Sequence, residues 1–154
     1  MIQRIQTVFL FLAIIALAFF NINPYWIIQP SDNGESFSLM SYGSVSYISG
    51  EATTEYGLYT TVAGISAIAI IILLIELFSF KNRLLQMKLA IGNSFLMSLN
   101  LGLMTYFVIG LQKESQGSFG IGLFIFAIAM LLNIVARRFI QKDEKLVRSV
   151  DRLR

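Results

Sequence analysis

Four apolar runs divide the chain, and polar segments of very different length separate them. The runs cover residues 5–22, 58–80, 89–111 and 119–136. Each falls within the range of about 17–25 residues that a helix needs to cross a bilayer. The pattern therefore predicts an all-α membrane protein with four transmembrane helices in an up-down bundle, residues 1–136.

The longest polar segment, residues 24–57, contains four acidic residues and no Lys or Arg. Serine alternates with apolar residues over residues 36–39 and 44–47, on either side of Tyr42-Gly43. Alternation around a glycine-containing turn is typical of a β-hairpin. An irregular loop that dips into the lipid headgroups fits so short a pattern equally well, so both interpretations stay open.

The basic residues predict the orientation of the spans. Cationic flanks stay on the cytoplasmic side of a bilayer. With both termini cytoplasmic, eleven of the twelve basic residues lie inside, at Arg4, in the connection 81–88 and in the tail 137–154, and only Lys113 lies outside. We therefore expect the N and C termini to be cytoplasmic and residues 24–57 to lie outside. A cleaved signal peptide is the alternative for residues 5–22, but no polar stretch precedes the candidate cleavage site at residues 16–18, so we expect this span to be retained.

The last residues, 137–154, predict a short basic amphipathic cytoplasmic C-terminal helix. Apolar residues recur there at near-heptad spacing, at Phe139, Leu146, Val150 and Leu153. Such a helix can lie on anionic lipid or dock a protein. Three acidic residues dilute the net charge of the tail to +4, which favours a protein partner. The candidate contact residues are Arg137, Arg138, Lys142, Lys145, Arg148, Arg152 and Arg154.

Composition narrows the chemistry that the chain can perform. Apolar residues make up 56% of it and charged residues 14%, against about 25% in soluble domains. The chain contains no Cys and no His, which excludes disulfides, zinc or haem held by those residues, and a Ser-His-Asp triad. Its acidic residues are scattered, and it has no glycine-rich phosphate-binding motif. We therefore predict no catalytic, cofactor-binding or metal-binding residues and no nucleic-acid partner.

Polar residues inside the predicted spans gather near the cytoplasmic boundary. At 1.5 Å per residue they lie within about 6 Å of it, whereas Asn100 lies near mid-membrane. The members of this predicted inner-leaflet polar layer are Gln6, Thr7, Glu76, Asn93 and Asn133. Glu76 is the ionisable group inside the spans, and ionisable groups there are functional candidates. We expect a structural role for it, with a partner among Asn93, Asn133, Arg4, Lys81 and Arg83.

Small residues recur at every fourth position of the third span and form a ridge. Its members are Ala90, Ser94, Ser98 and Gly102. Such a ridge allows a neighbouring helix to approach closely. The neighbour can belong to the same chain or to another one, and we expect the first, with the ridge as the tightest helix contact of the bundle.

The two ends of the chain resemble a known family. The opening MIQRIQT, residues 1–7, and the closing KDEKLVRSVDRLR, residues 142–154, resemble small bacterial membrane proteins from the Bacteroidetes that are catalogued as a domain of unknown function. The resemblance covers the whole chain. It implies four spans and a location in the inner membrane of a two-membrane bacterium, and it brings no activity or catalytic residue with it.

These observations favour a non-enzymatic accessory or scaffold subunit of a larger inner-membrane assembly. Its partners would be the lipid bilayer and a protein in the membrane or at its cytoplasmic face. The alternative is a small transporter or channel that uses Glu76 and the Asn residues. A membrane-embedded enzyme that acts on lipid is a third class, and it would depend on Glu76 or on acids of the outer segment. The surroundings of Glu76 discriminate between these classes, since transport needs a wet cavity and a scaffold needs dry packing.

Overall fold

The computed structural model describes residues 2–28, 35–48, 51–80, 82–113 and 116–151, with side chains from residue 5 to residue 146. These residues are mostly helical, and four of the helices are long and apolar enough to cross a membrane. They are α1 (Ile2–Ile22), α2 (Thr60–Phe78), α3 (Arg83–Gln112) and α4 (Ile121–Asp151). Each contains one predicted span.

The four helices form an up-down bundle. Each helix packs beside its neighbour in the chain, and α1 closes the ring by packing along α4, the most extensive helix contact. Phe9 stacks on Phe139 with ring centroids 5.5 Å apart, and Phe20 meets Phe126 edge to face at 4.9 Å. These two contacts run in opposite directions along the two helices, so α1 and α4 are antiparallel.

Five short strands form one antiparallel sheet at the end of the bundle where α1 ends and α4 begins, hereafter the sheet end. The strands are β1 (Trp26–Ile28), β2 (Ser36–Met40), β3 (Gly43–Ile48), β4 (Glu51–Glu55) and β5 (Ser118–Phe119), in the order β4-β3-β2-β1-β5. The prediction of an all-α protein is therefore wrong. The hairpin interpretation is confirmed by β2 and β3, and the irregular loop is not observed there.

The sheet is joined to the bundle by backbone hydrogen bonds and by a shared core. Gly122 N donates to Pro24 O at 2.9 Å, and Ala63 N donates to Ser41 O at 3.0 Å, so both α4 and α2 are tied to the sheet segment near their first residues. Trp26 and Leu39 are buried in the same hydrophobic cluster as the helix residues. The sheet therefore packs against the end of the bundle, rather than forming a loop that makes no contact with it.

The predicted C-terminal helix is helical over residues 137–151, and it continues α4 through residue 136 without a break. No Gly or Pro occurs between residues 123 and 151 to end it. Ile140 is buried, and Asp143 Oδ2 lies 3.2 Å from Arg83 Nη2 at the start of α3. The first two turns beyond residue 136 thus belong to the bundle, at the end opposite the sheet, hereafter the tail end.

Gly122 and Gly64 make a matched test of the sheet contact. A Cβ at Gly122 would lie 2.6 Å from Asn23 O, whereas a Cβ at Gly64 of α2 would meet nothing within 4 Å. We expect Gly122→Ala to lower the thermal unfolding midpoint in detergent, because the backbone of residues 23 and 24 must shift. Gly64→Ala should leave it unchanged or raise it slightly, since alanine favours helix by up to about 1 kcal/mol. Equal midpoints for the two variants would contradict this arrangement.

Candidate functional site

The interior of the bundle contains seven buried polar side chains among the described helix residues. Each of them is at most 2% exposed, and together they come from all four helices. They are Gln6, Ser66, Glu76, Gln86, Asn93, Asn100 and Asn133. Buried polar groups need hydrogen-bond partners, so the partners that they have, or lack, distinguish a packing role from a binding role.

Near the sheet end, several polar groups are paired between elements. Asn21 Oδ1 accepts hydrogen bonds from Ser41 Oγ at 2.9 Å and from Ser66 Oγ at 2.8 Å, which joins α1, the sheet segment and α2. Asn100 Nδ2 donates to Val62 O at 3.3 Å and joins α3 to α2. These bonds make Asn100 a packing residue.

Burial at the sheet end also acts on Tyr25. Its side chain is fully buried, and this desolvation, together with the nearby Tyr59, raises the pKa of the Tyr25 hydroxyl above its ordinary value. The hydroxyl has no hydrogen-bond partner among the described residues. It therefore stays neutral at physiological pH and acts as part of the core.

The predicted polar layer is divided into two levels. One level contains Asn133 and Ser94, since Asn133 Nδ2 of α4 donates to Ser94 Oγ of α3 at 3.0 Å. Asn93, which precedes Ser94 in the chain, is also buried. Gln86 lies seven residues before Asn93 on the same helix, which is about 10 Å nearer the tail end. Thr7 is exposed on α1, unlike the other members of the predicted layer, which are buried.

The level nearer the tail end is formed by Gln6, Glu76 and Gln86. Gln86 Nε2 donates to the backbone O of Glu76 at 2.8 Å, so α2 and α3 meet there. The contacts of Phe9 with Phe139 and of Arg83 with Asp143 fix the relative height of α1, α3 and α4. Gln6 precedes Phe9 by three residues and Gln86 follows Arg83 by three, so they lie level with residues 142 and 140 of the antiparallel α4, about 3 Å apart along the axis.

Glu76 lacks the partners that the sequence predicted for it. Neither carboxylate oxygen has a hydrogen-bond partner among the residues that the structure describes, although the side chain is 0% exposed. Arg83 pairs with Asp143 instead, since the start of α3 faces α4, and the amide of Asn133 is taken by Ser94. The predictions of a bond from Asn133 or Asn93 and of an ion pair with Arg83 are therefore wrong. The other two candidates, the side chain of Arg4 and Lys81, lie outside the described residues.

Gln86 is the member of this level that the sequence prediction missed. The apolar run predicts a third span at 89–111, so Gln86 falls in the predicted connection before it. The helix begins six residues earlier, because Asn82 Oδ1 accepts a hydrogen bond from Leu85 N at 3.1 Å and caps the first turn. An Asn before a run of apolar residues is a helix-start signal, and it could have placed Gln86 inside the bundle.

The ridge on α3 is not one continuous contact within the chain. Ala90 is buried and Ser94 half-buried, but Ser98 and Gly102 are exposed, and a Cβ at Gly102 would meet nothing within 4 Å. The helix turns a different face inward, which includes Met97 and Met104. The expectation that the ridge is the tightest contact inside the bundle is therefore wrong for its second half.

The basic residues of the tail differ in their surroundings. Arg137 is half-buried, whereas Arg138, Lys142 and Lys145 are exposed. The Lys142 ammonium lies 5.8 Å from the centre of the Phe139 ring, and Lys145 lines a groove of about 340 Å³ between α3 and α4. The side chain of Arg148 and residues Arg152 and Arg154 lie outside the description.

The pair of Asn133 and Ser94 makes a direct test of this interior. Interhelical hydrogen bonds in membranes contribute about 0.6 kcal/mol on average and up to about 1.7. A double-mutant cycle of Asn133→Ala and Ser94→Ala should give a coupling of this size in the free energy of unfolding in mixed micelles. The cycle of Asn133→Ala with Ser98→Ala is the control, because Ser98 Oγ donates to Ser94 O of its own helix. Equal coupling in the two cycles would refute the contact.

Comparison with known proteins gives a family and no activity. No curated protein matches the chain. One family model matches residues 2–153, from the first turn of α1 past the end of α4. That range includes both polar levels, the sheet and the tail. The chain therefore belongs to the family described as domain of unknown function (DUF4293).

Proposed function

We propose that this protein is a non-enzymatic, multi-pass accessory or scaffold subunit of a larger assembly in the bacterial inner membrane. The observation that carries this proposal is a surface of small side chains on α3, formed by Ser98, Gly102 and Thr105 and hereafter the small-residue face. All three residues are exposed on one side of the helix. A second transmembrane helix can approach such a surface closely.

The polar groups of the small-residue face are already satisfied within its own helix. Ser98 Oγ donates to Ser94 O at 2.8 Å, and Thr105 Oγ1 donates to Leu101 O at 2.9 Å. Large side chains border the face, since Phe95 and Tyr106 are each more than 70% exposed. The result is a shallow notch, open at Gly102, whose shape fits a side chain from a neighbouring helix better than it fits disordered lipid tails.

The tail end supplies a second surface for the proposed assembly. Met87, Gln141, Glu144 and Lys145 line the groove between α3 and α4. With the basic residues on the cytoplasmic side, this groove opens towards the cytoplasm, where a protein partner can reach it. Acidic and basic residues both occur at the groove, which favours a protein over an anionic lipid surface.

One observation favours the alternative of a small transporter or channel, namely the unpaired carboxylate of Glu76 inside the bundle. Two others weigh against it. Asn100 and Asn133 donate to neighbouring helices, as packing residues do. At the sheet end, Phe20, Trp26, Leu39 and Phe126 belong to one buried cluster, and a path through the bundle would have to pass it.

Gly102→Leu and Gly64→Leu test the small-residue face. Both glycines are exposed within helices, and at both a Cβ would meet nothing within 4 Å. We expect neither change to lower the thermal midpoint of the isolated protein, because both new side chains face outward. Affinity purification in mild detergent with mass spectrometry should recover a stoichiometric membrane partner with the natural chain and with Gly64→Leu, and at least tenfold less of it with Gly102→Leu. Equal recovery from the two variants would exclude the face as the contact.

Cysteine labelling tests the proposed orientation, since the chain has no natural Cys. In intact spheroplasts an impermeant maleimide should label Ser36→Cys, which lies in β2, and should leave Ser149→Cys unlabelled until the membrane is opened. Labelling of Ser149→Cys in intact spheroplasts would reverse the orientation. The intact mass of the same proteins reports cleavage, which would remove about 18 residues of α1.

A further inference from the structure

We infer that the tail end of the bundle holds a binding site for a monovalent alkali cation, formed by the carboxylate of Glu76 and the side-chain carbonyl oxygens of Gln86 and Gln6. These three residues, hereafter the cation site, come from α2, α3 and α1. The inference is independent of the small-residue face, which lies on the outside of α3 and nearer the middle of the membrane.

The cation site contains four buried oxygen atoms that lack a partner. They are Glu76 Oε1, Glu76 Oε2, Gln86 Oε1 and Gln6 Oε1. The three side chains are between 0% and 2% exposed. Oxygen atoms removed from water without a partner destabilise a fold. Four of them at one level of a bundle therefore call for a bound group that satisfies them together.

The hydrogen bond between Gln86 and Glu76 fixes which group of the amide is free. The acceptor is a backbone carbonyl oxygen, so the Gln86 amide must donate through Nε2, at 2.8 Å. Its Oε1 is thereby left without a partner beside a residue whose carboxylate is also an acceptor. An ionised carboxylate and an amide oxygen are both acceptors and cannot satisfy one another, whereas a cation placed between them satisfies both.

The basic groups near this level do not fill that role in the structure. Arg83 Nη2 pairs with Asp143, whereas Arg83 Nη1 is buried without a partner among the described residues. Arg137 of α4 buries its Nε without a partner but makes no ion pair within 4 Å of Glu76 among the described residues. On α1 the described level contributes the neutral Gln6. Among the described residues, then, no basic group lies within 4 Å of the Glu76 carboxylate, and a bound cation would supply that counter-charge.

The ligand set indicates the charge of the cation. One carboxylate and two neutral amide oxygens balance a single positive charge, whereas divalent cations in proteins are bound by several carboxylates or by phosphates. Oxygen ligands of this kind suit Na⁺ and K⁺ rather than a transition metal, which prefers imidazole or thiolate. Glu76 lies two residues before the end of α2, so the ion would enter from the tail end.

Thermal unfolding of the full chain in detergent, in NaCl, KCl or N-methyl-D-glucamine chloride at equal ionic strength, tests the cation site. The organic cation is too large to enter, so the natural chain should unfold about 3 °C higher in at least one alkali salt at 100 mM. The comparison of NaCl with KCl identifies the preferred ion. Glu76→Gln should remove the difference between salts, and Gln6→Leu, which keeps the carboxylate, should reduce it by at least half.

Glu51→Gln is the matched control, because it removes an exposed acid on β4 at the other end of the molecule. It should keep the full difference between salts. Equal midpoints in all three salts for the natural chain would overturn the site. So would a difference that survives in both Glu76→Gln and Gln6→Leu, since it would then arise from general effects of the alkali ions. If Glu76→Gln fails to fold, Gln6→Leu and the natural chain still decide the question.

Discussion

Helices α1 and α4 are almost the whole chain apart in sequence, yet they form the most extensive helix contact of the bundle. The pairs Phe9–Phe139 and Phe20–Phe126 fix their relative height at both ends. Because α1 and α4 are in register, the segment that leaves α1 and the segment that enters α4 meet at the sheet end, where β1 pairs with β5. The same register places the tail portion of α4 beside the start of α3, where Asp143 reaches Arg83.

The sheet follows from that register and from the cost of leaving backbone groups unpaired. After α1 the chain passes through Pro24 to Trp26. The side chain of Trp26 belongs to the core, so the backbone of this segment lies against the apolar end of the bundle. Polar backbone groups in such a place need partners. Strand β2 supplies them on one edge of β1 and the two residues of β5 on the other. Glycine at position 120 allows the backbones of the two segments to touch there, with Gly120 N donating to Tyr25 O at 2.9 Å.

The sequence was sufficient to predict the parts of the fold that depend on long-range composition. Four apolar runs are a strong signal, and all four helices contain them. The sheet was predicted only as one possible hairpin, since β1 has three residues and β5 two, and β4 is exposed along its whole length and shows no alternation. Strands this short depend on the residues that they pack against, and the periodicity of the sequence carries no information about those contacts.

The sequence predicted which polar residues lie inside the bundle better than it predicted which of them contact one another. Depth along a span is countable from sequence, so Gln6, Glu76, Asn93 and Asn133 were found, and all four are buried. Rotation about the helix axis is harder to predict when most faces are apolar. Ser98 and Gly102 were accordingly expected inside the bundle and lie outside it. The partner of each amide depends on that rotation, which explains why Asn133 bonds to Ser94 rather than to Glu76.

The buried polar residues differ in how many of their atoms a neighbouring element satisfies, and unpartnered atoms occur at every level of the bundle. Near the sheet end and in the middle, Ser66, Asn100 and Asn133 bond to neighbouring elements and make the helices specific for one another. At the tail end, Glu76 and Gln6 spend the same burial on oxygens that nothing in the described chain satisfies. If burial alone were the purpose, leucine at these positions would stabilise the bundle more. A cation bound between the oxygens of Glu76, Gln86 and Gln6 would offset the cost of burying them, which is the physical basis of the proposed cation site.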